Sequence, residues 1–444
     1  MSTVVTALGH EWEARMVALV DSLPGIDVGR RCVDLAELVS AVAAGHGDVA
    51  LVSLELRGLD RDALHQLDLA GVHVVGASAE GDEDSERRLR QLGLTRVVHL
   101  GTPADELADL LGVARRGPAP GAATLAGTVG AGPTSTGGVA VATDDPQAGP
   151  PRPTDEPPPA PEAGRARGRV VCVWGPTGAP GRTTVAVNLA AELAGSGVPT
   201  LLVDVDTYGA SVAQALSMID EAPGAAAAVR ASEAGSLDLP TLARVAPEVL
   251  PGLRVLSGIP TPARWTELRA AAVEHVLDLS RDLAPLVVVD CGFSIEDDEE
   301  LSYDTLAPRR NATTLVALEA ADEILVVGAG DPVGLQRMVR AVQALADLPV
   351  VAPRPVVNRV RASAVGSDPQ RRIADSLRRF AGLERIAFLP DDPASTDAAM
   401  LAGRTLAETA PGSPLRAALR ELAGALAGRA LPRPSRTGSR LLRR

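Results

Sequence analysis

Between residues 169 and 209 the chain reads RVVCVWGPTGAPGRTTVAVNLAAELAGSGVPTLLVDVDTYG: an apolar strand pattern, a glycine-rich loop, a helical pattern and a second apolar strand. That order leaves few folds open, because two parallel strands need a crossover and a helix supplies it. Gly178 and Gly181 permit backbone angles and close approaches that side chains would block. The loop amides and the start of the helix near Arg182 then form a cradle for an anion, phosphate above all. Thr183 stands where a loop hydroxyl ligates Mg²⁺, and Thr184 is placed to touch an α-phosphate. The second strand ends in the acidic pair Asp204 and Asp206. A later apolar run, PLVVVD, sets Asp290 at a strand end, the position from which a carboxylate supports a metal.

Composition narrows the chemistry. The 444 residues carry a net charge of −13 and, row by row, no Lys, so any cation offered to phosphate must be Arg. An acidic chain is a poor default binder of nucleic acid. The three cysteines, Cys32, Cys172 and Cys291, are too far apart for a disulfide framework or a zinc site and fit a reducing compartment. The opening residues have no apolar signal core, and no run is apolar enough to span a membrane, so a cytoplasmic protein is expected. Aromatics are scarce, and the cores must be built from Val, Leu and Ala.

Four regions separate along the chain. Residues 1–116 alternate apolar runs, at 3–7, 26–30, 49–54, 72–77 and 96–100, with helical patterns such as 12–23 and 34–44. Five β/α units predict a doubly wound parallel sheet. Residues 117–168 are rich in Pro, Gly and Ala, lack a helical period, and are expected to be a disordered linker. The periodic pattern resumes over 169–428, and 429–444 form a basic, flexible tail. The fold class is therefore α/β, with two doubly wound domains.

The first region resembles the receiver domain of two-component systems in order and length. A working receiver has an acidic pair after its first strand, an acceptor Asp ending the third and a Lys ending the fifth. Here those positions read Ala7-Leu8-Gly9-His10, Ser53 and about Thr102, with Glu55 or Asp60 reaching the acceptor position only by a register shift. The resemblance implies a degenerate receiver used for docking.

The region from residue 170 resembles the MinD/ParA class of P-loop ATPases with a deviant Walker A loop, and specifically its CpaE/TadZ branch. Aligned with that family's loop, Thr177 stands at the lysine that reaches across a nucleotide-sandwich dimer, and Arg182 at the phosphate lysine. By that resemblance, Thr177, Gly178, Ala179, Pro180, Gly181, Arg182, Thr183 and Thr184 hold ATP. Asn358 in PVVNRV reads the base, with Pro390 bordering it. Thr183, Asp204 and Asp290 support Mg²⁺, while Asp206 positions the attacking water and Arg182 aids catalysis.

Arg is planar and longer than Lys, and Pro180 removes one loop amide. Binding rests on many backbone donors and should survive these changes better than hydrolysis, which must stabilise developing charge. The resemblance implies an ATP-dependent localisation or assembly factor for a Tad-type pilus or secretion system, a weak ATPase acting as a dimerisation switch. Its partners would be a second copy of the chain and pilus or secretion assembly proteins or a polar or septal landmark, with at most peripheral contact at the inner face of the membrane. The alternatives are a non-hydrolysing nucleotide-bound scaffold, a ParA-type partitioning ATPase and a MinD-type septum-positioning ATPase.

Overall fold

A computed structural model of the chain describes residues 2–112, 167–178, 181–218, 223–296 and 309–428. The basic tail and the linker, save Arg167 and Gly168, lie outside the described residues. Those two residues belong to the second domain: Arg167 pairs with Asp278 and Asp282 at 3.0 and 3.2 Å, and the Gly168 N–H donates to the Arg281 carbonyl at 2.8 Å.

The first domain runs β1 (Ser2–Ala7), α1 (Glu13–Asp21), β2 (Ile26–Arg31), α2 (Leu35–Ala43), β3 (Val49–Val52), α3 (Arg61–Leu69), β4 (His73–Ser78), α4 (Glu83–Gln91), β5 (Val97–His99) and α5 (Ala104–Gly112). Its five strands are all parallel, in the order β2-β1-β3-β4-β5. This is the flavodoxin-like doubly wound order. β3 is buried at every position, as a central parallel strand covered on both faces must be. Asp34 and Asp60 cap α2 and α3 by accepting from the Glu37 and Ala63 N–H groups.

The second domain opens with β6 (Arg169–Trp174), α6 (Arg182–Gly195), β7 (Thr200–Asp204) and α7 (Val212–Ala215). Next come α8 (Gly224–Glu233), α9 (Leu239–Val245), β8 (Glu248–Leu250), β9 (Leu253–Leu256), α10 (Ala270–Leu283) and β10 (Leu286–Asp290). After α11 (Ala312–Glu319) follow β11 (Glu323–Ala329), α12 (Pro332–Leu345), β12 (Arg354–Val360), α13 (Ala362–Val365) and α14 (Pro369–Ala381). β13 (Ala387–Pro390), α15 (Pro393–Ala402), α16 (Leu406–Thr409) and α17 (Pro414–Leu426) complete it. The eight strands are ordered β13-β12-β11-β6-β10-β7-β9-β8, with only the edge strand β8 antiparallel to its neighbour.

The pieces that carry chemistry sit at the centre of this sheet. β10 pairs with β6 on one side and β7 on the other, and the register sets Asp290 beside Asp204. α6 is buried from Val185 to Ala194, pressed between the sheet and α17. Even its Glu192 is buried, and it is held by Arg416 at 2.5 Å and Arg420 at 3.4 Å. Breaking such a buried pair strands the remaining charge, so the contact holds the last turns of α6 against α17.

The two domains meet through α3 and α10. Arg269, just before α10, pairs with Asp60 at 3.3 Å, Asp62 at 3.8 Å and Glu233 at 3.2 Å. Asp62 also accepts from the Ala271 N–H in the first turn of α10 at 2.8 Å. Asp60 is thus committed to a helix cap and an ion pair, and Glu55 accepts from the Trp12 indole N–H at 3.3 Å. Ser53 is fully buried and accepts from the Gly9 N–H at 2.9 Å. Thr102 is buried as well, its hydroxyl accepting from the His99 N–H at 2.9 Å. Among the described residues no helix is long and apolar enough to cross a membrane.

Candidate functional site

The loop after β6 turns through Gly178 and Gly181, both at positive φ (+66° and +98°), a region that side chains rarely tolerate. Ala179 and Pro180 lie outside the described residues. Gly181 is also the cap residue of α6, so the first free amides of that helix face the loop. A Cβ at Gly181 would run into the Asn358 side-chain amide, which brings the expected base-reading Asn against the loop. β12 runs through Asn358 to Val360.

Arg182 folds back on its own loop. Its Nη1 donates to the Gly175 and Pro176 carbonyls at 3.3 and 3.5 Å, and its Nη2 lies 3.5 Å from Asp206 Oδ2. The other oxygen of Asp206 accepts from the Tyr208 and Gly209 N–H groups at 2.8 and 3.1 Å. The acid therefore ties the segment after β7 to the first turn of α6.

Asp204 and Asp290, neighbours in the sheet and both buried, differ sharply in their partners. Asp204 accepts from the Asp206, Ser211 and Val212 N–H groups at 3.1, 3.0 and 3.1 Å. Burial still pushes its carboxyl up to about 7, against the pull of those amides. Both oxygens of Asp290 lack a hydrogen-bond partner. Burial, with Asp204 alongside, raises the Asp290 carboxyl well above the usual carboxylate range, and the nearby Thr183 hydroxyl and Arg182 offset only part of that rise. Thr183 in turn accepts from Ser211 Oγ at 3.2 Å.

A cavity of about 410 Å³ is lined by Gly181, Arg182, Thr183, Thr184, Asp206 and Tyr208 among others, but not by Asp204 or Asp290. A second, of about 460 Å³, shares Gly181 and Thr184 and extends to Asn358, Arg361, Pro390 and Asp391. The expected phosphate, acid and base residues thus converge from four separate segments of the chain. Thr177 is exposed and lines neither cavity.

Sequence reasoning missed the clamp on the segment after Asp206. Arg310 lies 3.9 Å over the Tyr208 ring, Phe293 packs on that ring at 4.7 Å, and the Tyr208 hydroxyl donates to Asn311 at 2.7 Å. In a chain with two Tyr and three Phe, an aromatic two residues beyond Asp206 and another three beyond Asp290 were the available signal.

A buried carboxylate without partners, a hydroxyl facing it and a glycine cradle at a helix start fit a magnesium–nucleotide. Among the described residues no group of three or more His, Cys, Asp or Glu is placed to hold a metal ion. Magnesium at this site would share its ligands with phosphate and water, as is usual for that ion.

Fold and site together define an α/β nucleotide-binding domain with its phosphate loop between β6 and α6. The chain belongs to the CobQ/CobB/MinD/ParA nucleotide binding domain family, whose model matches residues 171–401. Among solved structures it is similar to the ParA family ATPase of Chlorobium tepidum TLS, with 20% identity, 57% of this chain and 98% of that one covered, and a TM-score of 0.48. The cell division ATPase MinD of Pyrococcus furiosus is similar at 19% identity, covering 59% of this chain and 99% of that one, with a TM-score of 0.47. The septum site-determining protein MinD of Pyrococcus horikoshii OT3, complexed with Mg-ADP, follows at 18% identity, 58% and 95% coverage and a TM-score of 0.46. No curated protein matches the sequence.

Proposed function

We propose that the chain binds Mg²⁺-ATP at residues 178–184 and serves as a cytoplasmic localisation or assembly factor of the CpaE/TadZ kind, for a Tad-type pilus or a related secretion system. The observation that carries the binding reading is Asp290: a fully buried carboxyl with unsatisfied oxygens, and only the Thr183 hydroxyl and Arg182 near it, is costly to ionise unless a cation arrives. In this reading Thr183 and Asp290 hold the metal, and the amides at the start of α6 hold the phosphates. Asn358 and Pro390 border the base. Asp204, whose oxygens are committed to backbone amides, shapes the segment that carries Asp206 and supports the metal only from behind. The metal, when bound, supplies charge neutralisation at the phosphates.

Asp206 positions the attacking water, and turnover is slow. Arg182 is tied to Asp206 and to two loop carbonyls, and it must be drawn away before it can stabilise transferring phosphate. Nucleotide binding then acts mainly as a switch for pairing two copies of the chain. The same tie favours a second reading, a scaffold that keeps its nucleotide and never turns it over. The first domain, with Ser53 buried at the acceptor position, serves as a degenerate receiver that docks a protein partner, with at most peripheral contact at the membrane.

Steady-state turnover of the purified chain with Mg²⁺-ATP, beside Asp206→Ala, separates these readings. Slow hydrolysis lost in Asp206→Ala supports the switch, and tight binding with no hydrolysis in either protein supports the scaffold. Failure of the parent chain to bind ATP overturns both.

A further inference from the structure

The loop turn at Thr177 and Gly178 offers no cation of its own, yet one lies against it. A Cβ built on Gly178 would fall 3.2 Å from Arg337 Cζ and closer still to Nη1. The guanidinium, carried on the second turn of α12, therefore rests directly on the Gly178 backbone, which only glycine permits there. Arg337 is exposed, as are Thr177 and Gly178, and among the described residues no carboxylate pairs with it. Arg182, the loop's own cation, is drawn inward to Asp206 and to two carbonyls. In the reading above the amides at the start of α6 hold the inner phosphates, which leaves the cation beside Gly178 for the terminal one.

We propose that Arg337 is a phosphate-binding residue, a cation supplied from α12 to the terminal phosphate of the nucleotide in place of the loop cation that Thr177 does not provide. The inference rests on the nucleotide-binding reading above. A planar guanidinium can engage two phosphate oxygens at once, so the contact discriminates between a triphosphate and a diphosphate.

Calorimetric titration of the full chain with Mg²⁺-ATPγS and with Mg²⁺-ADP tests this. Arg337→Ala is expected to weaken ATPγS binding about tenfold while changing ADP binding less than about threefold, the size of one lost charge-assisted contact. Thr177→Lys in the Arg337→Ala background should restore the preference for ATPγS, because the new lysine stands beside Gly178. A purely structural arginine would behave otherwise. An Arg337→Ala chain that keeps the parent's preference overturns the proposal, and so does an equal loss for both nucleotides that Thr177→Lys leaves uncorrected. If the parent binds neither nucleotide, the nucleotide-binding reading falls and this inference falls with it; parent binding with an indifferent Arg337→Ala removes this inference alone.

Discussion

Arg182 Nη2 stands 3.5 Å from Asp206 Oδ2, so the cation at the start of α6 and the acid beyond β7 neutralise each other across the mouth of the site. Both side chains are largely buried there, at 16% and 7% exposure, and the attraction is little screened by solvent. Polyphosphate entering the cradle competes with Asp206 for that guanidinium. The pair accordingly opposes binding while holding Asp206 where a water can be positioned.

Asp206→Ala is expected to move affinity and rate in opposite directions. Releasing Arg182 should tighten ATP binding by roughly two- to fivefold, a modest gain of the kind a partly buried ion pair sets. Loss of the water-positioning acid should lower turnover about a hundredfold or more. Equilibrium titration and single-turnover kinetics on the same preparation check both signs. A fall in affinity and rate together would mean that Asp206 supports the ligand directly.

The buried carboxylates make stability depend on pH in a stated direction. Asp204, at about 7, and Asp290, raised well above the usual range, hold their protons more tightly when folded than when unfolded. Their contribution is fully present below the unfolded value of about 4 and is lost as pH rises through the folded values. His275, pushed down to about 4 by burial, acts oppositely and costs stability only as pH falls from about 6.5 toward 4. Taking the difference between parent and Asp290→Asn removes the His275 part. Asp290→Asn should be the more stable protein without ligand at pH 8, by about 1–3 kcal/mol, and nearly equal to the parent at pH 5. Denaturant unfolding at the two pH values measures it, and a pH-independent difference would contradict the assignment.

Much of this arrangement was legible in the sequence, and the reasons are local. Runs such as VVCV and LVVV are apolar throughout because both faces of a central parallel strand are covered, and that placed β6, β7 and β10, with Asp204 and Asp290 ending the last two. Gly178 and Gly181 were legible because only glycine suits their backbone angles. What sequence spacing could not convey is which side chain spends its bonds where. Asp204 and Asp290 look alike as strand-end acids, yet one is saturated by amides from the turn into α7 and the other has no partner. Arg337 lies more than 150 residues from Gly178, and its approach depends on the packing of α12, which no local pattern encodes.

Where the domains meet, one arginine sits among three acids. Arg269→Ala leaves Asp60, Asp62 and Glu233 facing one another without a cation. Amide hydrogen exchange in α3 of the full chain should accelerate about tenfold or more, equivalent to ~1.4 kcal/mol of lost protection. Unchanged exchange in α3 would show that the remaining contacts, among them Asp62 with the Ala271 N–H and Arg88 with the Ala234 carbonyl, hold the domains together without Arg269.

Ser53 should leave the first domain without phosphoacceptor activity. Its hydroxyl is buried and engaged by the Gly9 N–H, and Asp60 is occupied by Ala63 and Arg269. Incubation with acetyl phosphate and Mg²⁺ is expected to add no acid-labile phosphoryl group to residues 2–112. An adduct mapped to Glu55 or Asp60 by mass spectrometry would refute this.

Titration calorimetry of the parent chain beside Gly181→Val decides whether the glycine cradle between β6 and α6 holds Mg²⁺-ATP. Valine at φ +98° is strained, and its Cβ would push into the Asn358 amide and the space the phosphates need. Saturable, Mg²⁺-dependent binding is expected of the parent and at least a hundredfold loss in Gly181→Val, with circular dichroism confirming that the variant is folded. Equal binding by the two proteins, or no binding by the parent, would contradict it.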